Sequence, residues 1–295
     1  MKSAVVAGHI CLDVIPRIDH GFELDPGRLY EVGPATIATG GAVSNTGVAM
    51  HILGVPVTLM GKVGEDAFGH SVVEVLGGYG ERLGDGMVMS QEDVTSYTLV
   101  VNIPGKDRIF LHCPGANHSF GAADVDTEGV KRADLLHFGY PPYMRQMYEQ
   151  DGEQLELLFR NAKDAGVTTS LDLGMPEPEG PSGRADWAVI FQRTLPFVDV
   201  FMPSADELLY VLEPDKFGQG DAVSGETLSE LGAALLDLGV AVAGIKLGSR
   251  GLYLRTGCAE RLREMGRAQA GDPSALENRE LWFPVFFFFN DTATT

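Results

Sequence analysis

Gly40-Gly41-Ala42-Val43-Ser44-Asn45 opens a helical stretch running to Leu53, and Gly61-Lys62-Val63-Gly64-Glu65-Asp66 follows close behind. Paired glycines remove two Cβ atoms and let a ligand approach the main chain, while an Asn amide offers both a donor and an acceptor to neighbouring hydroxyls. That chemistry suits a polyol more than a phosphate. The same run also fits an ordinary strand-to-helix turn in which Asn45 caps or begins the helix. On these residues alone both readings stand.

Upstream, the apolar run Ala4-Val5-Val6-Ala7-Gly8 reads as a strand leading into His9-Ile10-Cys11-Leu12-Asp13, which places Asp13 just past a strand end. In open α/β sheets ligands sit beyond the carboxyl ends of the strands, where a carboxylate accepts hydrogen bonds from hydroxyls. A solvated loop acid is the plainer alternative. Taken in order, G-x-x-x-x-D (Gly8 to Asp13), G-G-x-x-x-N (Gly40 to Asn45) and G-x-V-G-x-D-x-x-G (Gly61 to Gly69) resemble the ribokinase-like (PfkB) family of carbohydrate kinases. The resemblance extends over roughly residues 3 to 285, and three ordered motifs are far more specific than any one of them.

That resemblance implies an α/β fold: a ribokinase-like three-layer α/β/α sandwich with a mostly parallel central sheet and a small β-sheet lid. It implies ATP and Mg2+ as cofactors, a sugar as phosphoryl acceptor, and Asp13, Gly41 and Asn45 on that sugar. Asn117, in Gly115-Ala116-Asn117, matches a family position near the substrate, although Asn after Gly is also a routine turn. Cys11 stands where ribokinase proper has a sugar-contacting Asn, so ribose is not the favoured substrate.

Composition is compatible with this and narrows the partners. At 295 residues and 44% hydrophobic content the chain can bury a full core, and no long Ser/Gly/Pro-rich linker divides it, so one domain over 1–285 is expected. The stretch Met175 to Gly183 reads as a connecting loop. A formal charge of −19 argues against nucleic acid or an anionic membrane as partner. Cysteines 11, 113 and 258 form no C-x-x-C pair and read as reduced cytosolic thiols, and no run is long and apolar enough to cross a bilayer. A cytoplasmic protein is expected.

Short β-rich apolar runs alternate with helical patterns, which predicts parallel β-α units and a sheet covered on both faces. Strands are expected at 3–8, 57–60, 134–138, 167–172, 198–202 and 242–247, and helices at 44–53, 67–77, 151–165, 205–212 and 227–238. Leu155, Leu158, Phe159 and Ala162 form a core-facing helical stripe. Ser96 to Ile103 and Arg108 to Cys113 flank Pro104-Gly105-Lys106-Asp107, a hairpin pattern. By resemblance it belongs to a lid built from about 14–36 and 95–115, whose closure would exclude water and whose pairing in relatives makes dimers. An edge hairpin of the main sheet is the alternative.

Farther on, Ser204-Ala205-Asp206-Glu207 stands where the family has N-x-x-E, with Ser204 replacing the Asn. The resemblance gives Glu207 to magnesium and Ser204 to the nucleotide side, while S-x-x-E before an apolar helix is also a capping box. Gly244 to Gly251 resembles the family's nucleotide turn, with Lys246, Gly248 and Gly251 near the ATP phosphates; as a bare pattern it is a hairpin. Asp172 keeps the Asp of the family's D-x-N-x-R pattern without its Asn and Arg.

In the resembled family the base and anion hole lie in a later D-T-x-G-A-G-D, and no G-A-G-D occurs here. Phe286 to Thr295 resembles the conceptual translation of a poly-T run followed by a sequencing adapter, so 286–295 is expected to be a non-native tail. Residues 281–285 are expected to form the strand leading toward the missing segment. A kinase whose given form lacks turnover is the primary expectation, and a non-catalytic sugar- or nucleotide-binding protein derived from such a kinase is the second. A Rossmann dehydrogenase is disfavoured, because no G-x-G-x-x-G follows the first strand.

Overall fold

A computed structural model of the chain describes residues 1–269 and 271–285. The expected non-native tail, 286–295, lies outside the described residues. Among those residues the strands are β1 (Ala4–Gly8), β2 (Cys11–Pro16), β3 (Ala35–Gly40), β4 (Val57–Gly64), β5 (Met87–Ser90), β6 (Tyr97–Val101), β7 (Ile109–Cys113), β8 (Leu135–Gly139), β9 (Thr168–Asp172), β10 (Val200–Phe201), β11 (Val242–Lys246), β12 (Leu252–Thr256) and β13 (Glu280–Phe283). The helices are α1 (Ala42–Ile52), α2 (Ala67–Tyr79), α3 (Thr127–Arg132), α4 (Arg145–Tyr148), α5 (Glu153–Asp164), α6 (Trp187–Thr194), α7 (Ala205–Leu212), α8 (Gly225–Asp237) and α9 (Ala259–Arg263).

Nine strands form one sheet in the order β13-β12-β11-β10-β9-β8-β1-β4-β5. From β5 to β11 every neighbour pair is parallel, and β12 and β13 close that edge antiparallel. Alternation along β1 explains the layers. Val5 and Ala7 belong to a core with Leu158 and Phe159 of α5, Ile190 of α6 and Leu208 of α7, whereas Val6 joins Val43 and Val48 of α1 and Val72 and Leu76 of α2 on the opposite face. A sheet covered on both faces needs strands apolar in both directions, and β1 and β9 are buried throughout.

The chain leaves β1 toward β4 on one side and β8 on the other, so the order reverses between β1 and β8. Such a switch point opens a crevice beyond the strand ends. A second sheet, β3-β2-β6-β7, stands there. It contains the expected 95–115 hairpin as β6 and β7, which settles the lid against the edge-hairpin alternative. Its other half is wider than expected: β2 begins at Cys11, so Asp13 lies on a lid strand instead of in a loop past a strand end. The row Ala38, Asp13, Thr98, His112 runs across one face, and the adjacent row Ile37, Val14, Leu99, Leu111 runs across the other.

At the opposite, amino-terminal edge a buried ionic knot ties three elements together. The Asp199 carboxylate, fully buried, accepts from Lys163 Nζ of α5, from Arg261 of α9 at 2.9 Å and from the Thr169 N–H at 3.0 Å. A group buried that completely is tolerated only with such partners.

Candidate active site

Glycine at positions 40 and 41 makes room at the β1 end for two side chains, and does not bare the backbone to a ligand as the sequence suggests. A Cβ on Gly40 would lie 2.4 Å from Asp13 Oδ2, and one on Gly41 would lie 2.4 Å from the His9 carbonyl oxygen and 2.5 Å from His9 Nδ1. The two vacated spaces are occupied by the Asp13 carboxylate and the His9 imidazole. Gly41 also sits at φ 89° as the N-cap of α1, a left-handed conformation that a side chain would strain. Helix α1 begins at Ala42, so Asn45 lies in its first turn with its side chain exposed, not at the cap.

Around Asp13 the lid supplies hydrogen-bonding neighbours. Cys11 Sγ lies 3.4 Å from Asp13 Oδ1, and Thr98 Oγ1 lies 3.0 Å from His112 Nδ1. Burial raises the Asp13 pKa, against the opposing hydrogen bonds of Cys11 and Thr98 and the His112 charge. Burial and the nearby Asp13 carboxylate push the Cys11 thiol up to about 12, which makes it an inert thiol.

His9 was not singled out by sequence reasoning, nor were the rings around it. Its ring packs 5.4 Å from His112 of the lid, 5.4 Å from Tyr143 and 6.2 Å from Tyr140. It is 4% exposed, and neither ring nitrogen has a partner among the described residues. Burial, reinforced by His112 and His118, lowers its pKa to about 3. The one signal available was Tyr140-Pro141-Pro142-Tyr143 after a predicted strand, whose rigid turn holds Tyr140 at φ 67°. A bulky residue in that conformation is strained and concentrates at functional sites.

Asn117 acts from beneath. Fully buried, its amide donates to the Ile10 carbonyl at 2.9 Å and accepts from the Ile10 N–H at 3.2 Å. Both groups of the side chain thus hold the turn between β1 and β2, which carries His9 and leads to Asp13. Asp66 does similar work, accepting from the Gly69 and Thr95 N–H groups at 2.8 Å and so fastening α2 to the segment before β6.

The second end gathers Asp172, Ser204, Glu207 and Lys246 from the carboxyl ends of β9, β10 and β11. Ser204 and Glu207 form the capping box: Ser204 N–H donates to Glu207 Oε2 at 2.7 Å, and Glu207 N–H donates to Ser204 Oγ at 3.3 Å. Lys246 Nζ pairs with Asp172 Oδ1 at 2.5 Å. Burial pushes the Glu207 carboxyl up, with Lys246 opposing. Burial works against the Lys246 charge, yet the Asp172 and Glu207 carboxylates outweigh it and raise its pKa. The turn Gly248–Arg250 joins β11 to β12. Gly248 faces open space, whereas a Cβ on Gly251 would lie 1.9 Å from the Phe283 carbonyl of β13, so Gly251 is required by sheet packing.

Tyr140 and Tyr143 span the two ends. Burial raises the Tyr140 pKa; the Asn45 amide opposes this, and Asp172, Lys246 and Glu207 all act on the same hydroxyl. Tyr143, in ring contact with His9, is pushed up to about 12 by burial and by Glu207. The Tyr140 N–H donates to the Asp172 carbonyl at 3.1 Å, so the turn whose rings pack on His9 is bonded directly to the strand end that carries Asp172. A separate open groove of about 520 Å3, lined by Ser3, His51, Thr58, Arg82 and Arg132, lies at the amino-terminal strand edge, away from this crevice. None of the residues singled out from the sequence lines it.

Comparison with known proteins agrees with the fold. The chain is 26% identical over 221 residues to fructokinase-2 of Oryza sativa subsp. japonica, covering 74% of this chain and 62% of that protein. It is 27% identical over 220 residues to the ATP-dependent ribose-1-phosphate kinase of Halopiger xanaduensis, covering 73% and 66%. The chain thus spans less than two thirds of the length of these relatives. The structure of the Arabidopsis thaliana ribokinase complexed with ribose and ATP superposes with a TM-score of 0.66 at 22% identity, covering 86% of this chain and 75% of that one, a likeness of fold. The profile described as pfkB family carbohydrate kinase matches residues 1–273, and the chain belongs to that family.

Proposed function

We propose that the protein binds a sugar and Mg2+-ATP in the crevice between the β1 and β11 strand ends, for phosphorylation of a sugar hydroxyl. The observation that carries this reading is the Tyr140–Tyr143 bridge, in contact with His9 on one side and in the field of Asp172, Glu207 and Lys246 on the other. Asp13 accepts hydrogen bonds from sugar hydroxyls, and Asn45 donates and accepts beside it. Gly41 and Asn117 act through the loop that places His9 and Asp13. At the second end Lys246, with Ser204 and the Gly248 to Gly251 turn, faces the triphosphate.

Magnesium usually takes one or two carboxylates and completes its shell with phosphate and water. Asp172 and Glu207, two carboxylates at neighbouring strand ends beside Lys246, would take that part. Glu207 already holds the Ser204 N–H through one oxygen, so its metal role would use the other. When bound, Mg2+-ATP supplies the phosphoryl group and offsets the charge that develops on it. The lid row Asp13, Thr98 and His112 excludes water that would compete with the hydroxyl.

The 295 residues contain no G-A-G-D run to supply a base and anion hole. We accordingly read this chain as binding both ligands without turnover. An ATP-consumption assay over a sugar panel tests this, run on the 295-residue chain and on one extended with a family carboxyl segment: only the extended chain is expected to turn over. Robust turnover by the 295-residue chain overturns the reading of inactivity. No sugar or nucleotide binding by either chain overturns the proposed site. The Cys11 and Ser204 departures favour a second reading, a non-catalytic binder, which an extended chain that binds but never turns over would support.

The outer lid row Ile37, Val14, Leu99 and Leu111 is apolar, with Ile37 46% and Leu111 56% exposed. Pairing of two lids through this face would bury it. A dimer by sedimentation that Leu111→Lys splits is the expected result.

A further inference from the structure

Every substrate-end group described above except one has a hydrogen-bonding partner or an exposed edge. The exception is His9. Its ring fills the space that Gly41 leaves, next to the Asp13 carboxylate in the space that Gly40 leaves, and both nitrogens are enclosed without a partner among the described residues. Burying such a group unpaired destabilises the structure that holds it, and an isosteric apolar ring would avoid that loss. The surroundings are aromatic: Tyr143 and Tyr140 come from the turn after β8, and His112 reaches over from the lid.

We infer that His9 is a specificity-determining residue, which exchanges hydrogen bonds with an uncharged hydroxyl of the bound sugar as the lid settles over it. This rests on the sugar-site reading proposed above. A neutral imidazole presents one donor and one acceptor, and a hydroxyl can satisfy either. Two hydroxyls can satisfy both nitrogens, whereas carboxylate and phosphate oxygens only accept and can pair with the protonated nitrogen alone. The cations of the crevice lie elsewhere: Lys246 pairs with Asp172 at the far end, and Arg145 acts on His118. The substrate class is accordingly an uncharged polyol sugar. Because His112 of β7 forms one wall of the His9 pocket, a ligand that partners His9 favours the lid position in which the two rings meet.

The test is calorimetric binding of D-fructose, D-ribose and their single-position deoxy analogues to the full 295-residue chain, to His9→Phe and to His9→Gln, with an ATP analogue titrated separately. His9→Phe keeps the ring and removes both nitrogens. It is expected to melt no lower than the parent, to bind the ATP analogue equally well and to bind the preferred sugar about tenfold more weakly. One deoxy analogue should show a similar loss on the parent and no further loss on His9→Phe, with His9→Gln restoring part of the affinity. Equal sugar binding by parent and His9→Phe overturns the inference and leaves the sugar site standing. A lower melting point together with unchanged discrimination between analogues, in either variant, makes His9 structural and likewise overturns it. If the parent binds none of the sugars, the proposed site falls and this inference with it.

Discussion

The two ends of the crevice are built on opposite electrostatic plans. At the β1 end, polar groups are brought in by removing side chains: Gly40 and Gly41 admit Asp13 and His9, and the resulting pocket has one carboxylate, neutral rings and an imidazole without partners. At the β11 end, charges satisfy one another, with Lys246 on Asp172 and Glu207 folded onto its own helix cap. On the proposed reading, sugar hydroxyls complete the first end. The charges of the second pair internally in the free protein, so on the same reading a phosphate or a metal there displaces an internal partner.

That contrast predicts different responses to mutation. The largest effect belongs to Gly41→Ala. A methyl group there meets the His9 carbonyl at 2.4 Å and forces Ala into φ 89°, so a loss of roughly 2–5 kcal/mol in urea unfolding is expected, with sugar binding abolished. A wild-type unfolding midpoint would show that the glycine pair is a mere turn. Next comes Asp13→Asn, which removes a charged acceptor but keeps its shape. Sugar affinity should fall by about 10- to 100-fold while an ATP analogue binds unchanged. Equal losses for both ligands would erase the distinction between the ends.

At the second end, Lys246→Met should reverse that pattern, weakening the ATP analogue by about tenfold in calorimetry and sparing the sugar. The stability curve against pH sharpens the comparison further. His9 and His137 are held neutral by burial, with pKa lowered from 6.5 to about 3 and about 4 respectively. The unfolded chain therefore binds more protons below pH 6.5, so stability is full above that value and falls as pH drops, by at most about 1.4 kcal/mol per pH unit for each histidine. Asp13 and Glu207, raised by burial, act in the opposite sense, adding stability as pH falls through their raised values. Between pH 6.5 and about 5, His9→Phe should flatten the slope in part, since His137 and the lowered His112 and His118 keep the rest; an unchanged slope would contradict a neutral His9. Smallest is Ser204→Ala, where loss of the cap hydroxyl should cost about 1 kcal/mol in thermal melting.

Much of this was legible in the residues. Periodicity located α7 at its observed bounds and placed β1, β4, β8, β9 and β11 within a few residues, because long apolar runs buried on both faces leave few alternatives. The ordered glycine motifs picked out Gly40 and Gly41, which pack against Asp13 and His9. What the sequence hid were consequences of convergence. Asp13 looks like a loop residue until β2 is seen to join the lid within two residues of β1. Asn117 looks like a ligand until both ends of its amide are found on Ile10. His9 carries no local pattern at all, since its importance lies in being enclosed by rings more than a hundred residues away.

The central claim is that one crevice joins the two ends, and it is tested most directly by nuclear relaxation on the 295-residue chain with a bound sugar and Mn2+ replacing Mg2+ on an ATP analogue. A metal at Glu207 and a sugar at Asp13, on either side of Tyr140, predict strong broadening of the bound sugar's proton signals that vanishes when the nucleotide is omitted. A sugar that remains bound, with the metal–nucleotide complex also bound, and shows no broadening would place the two ligands in separate sites and contradict the account.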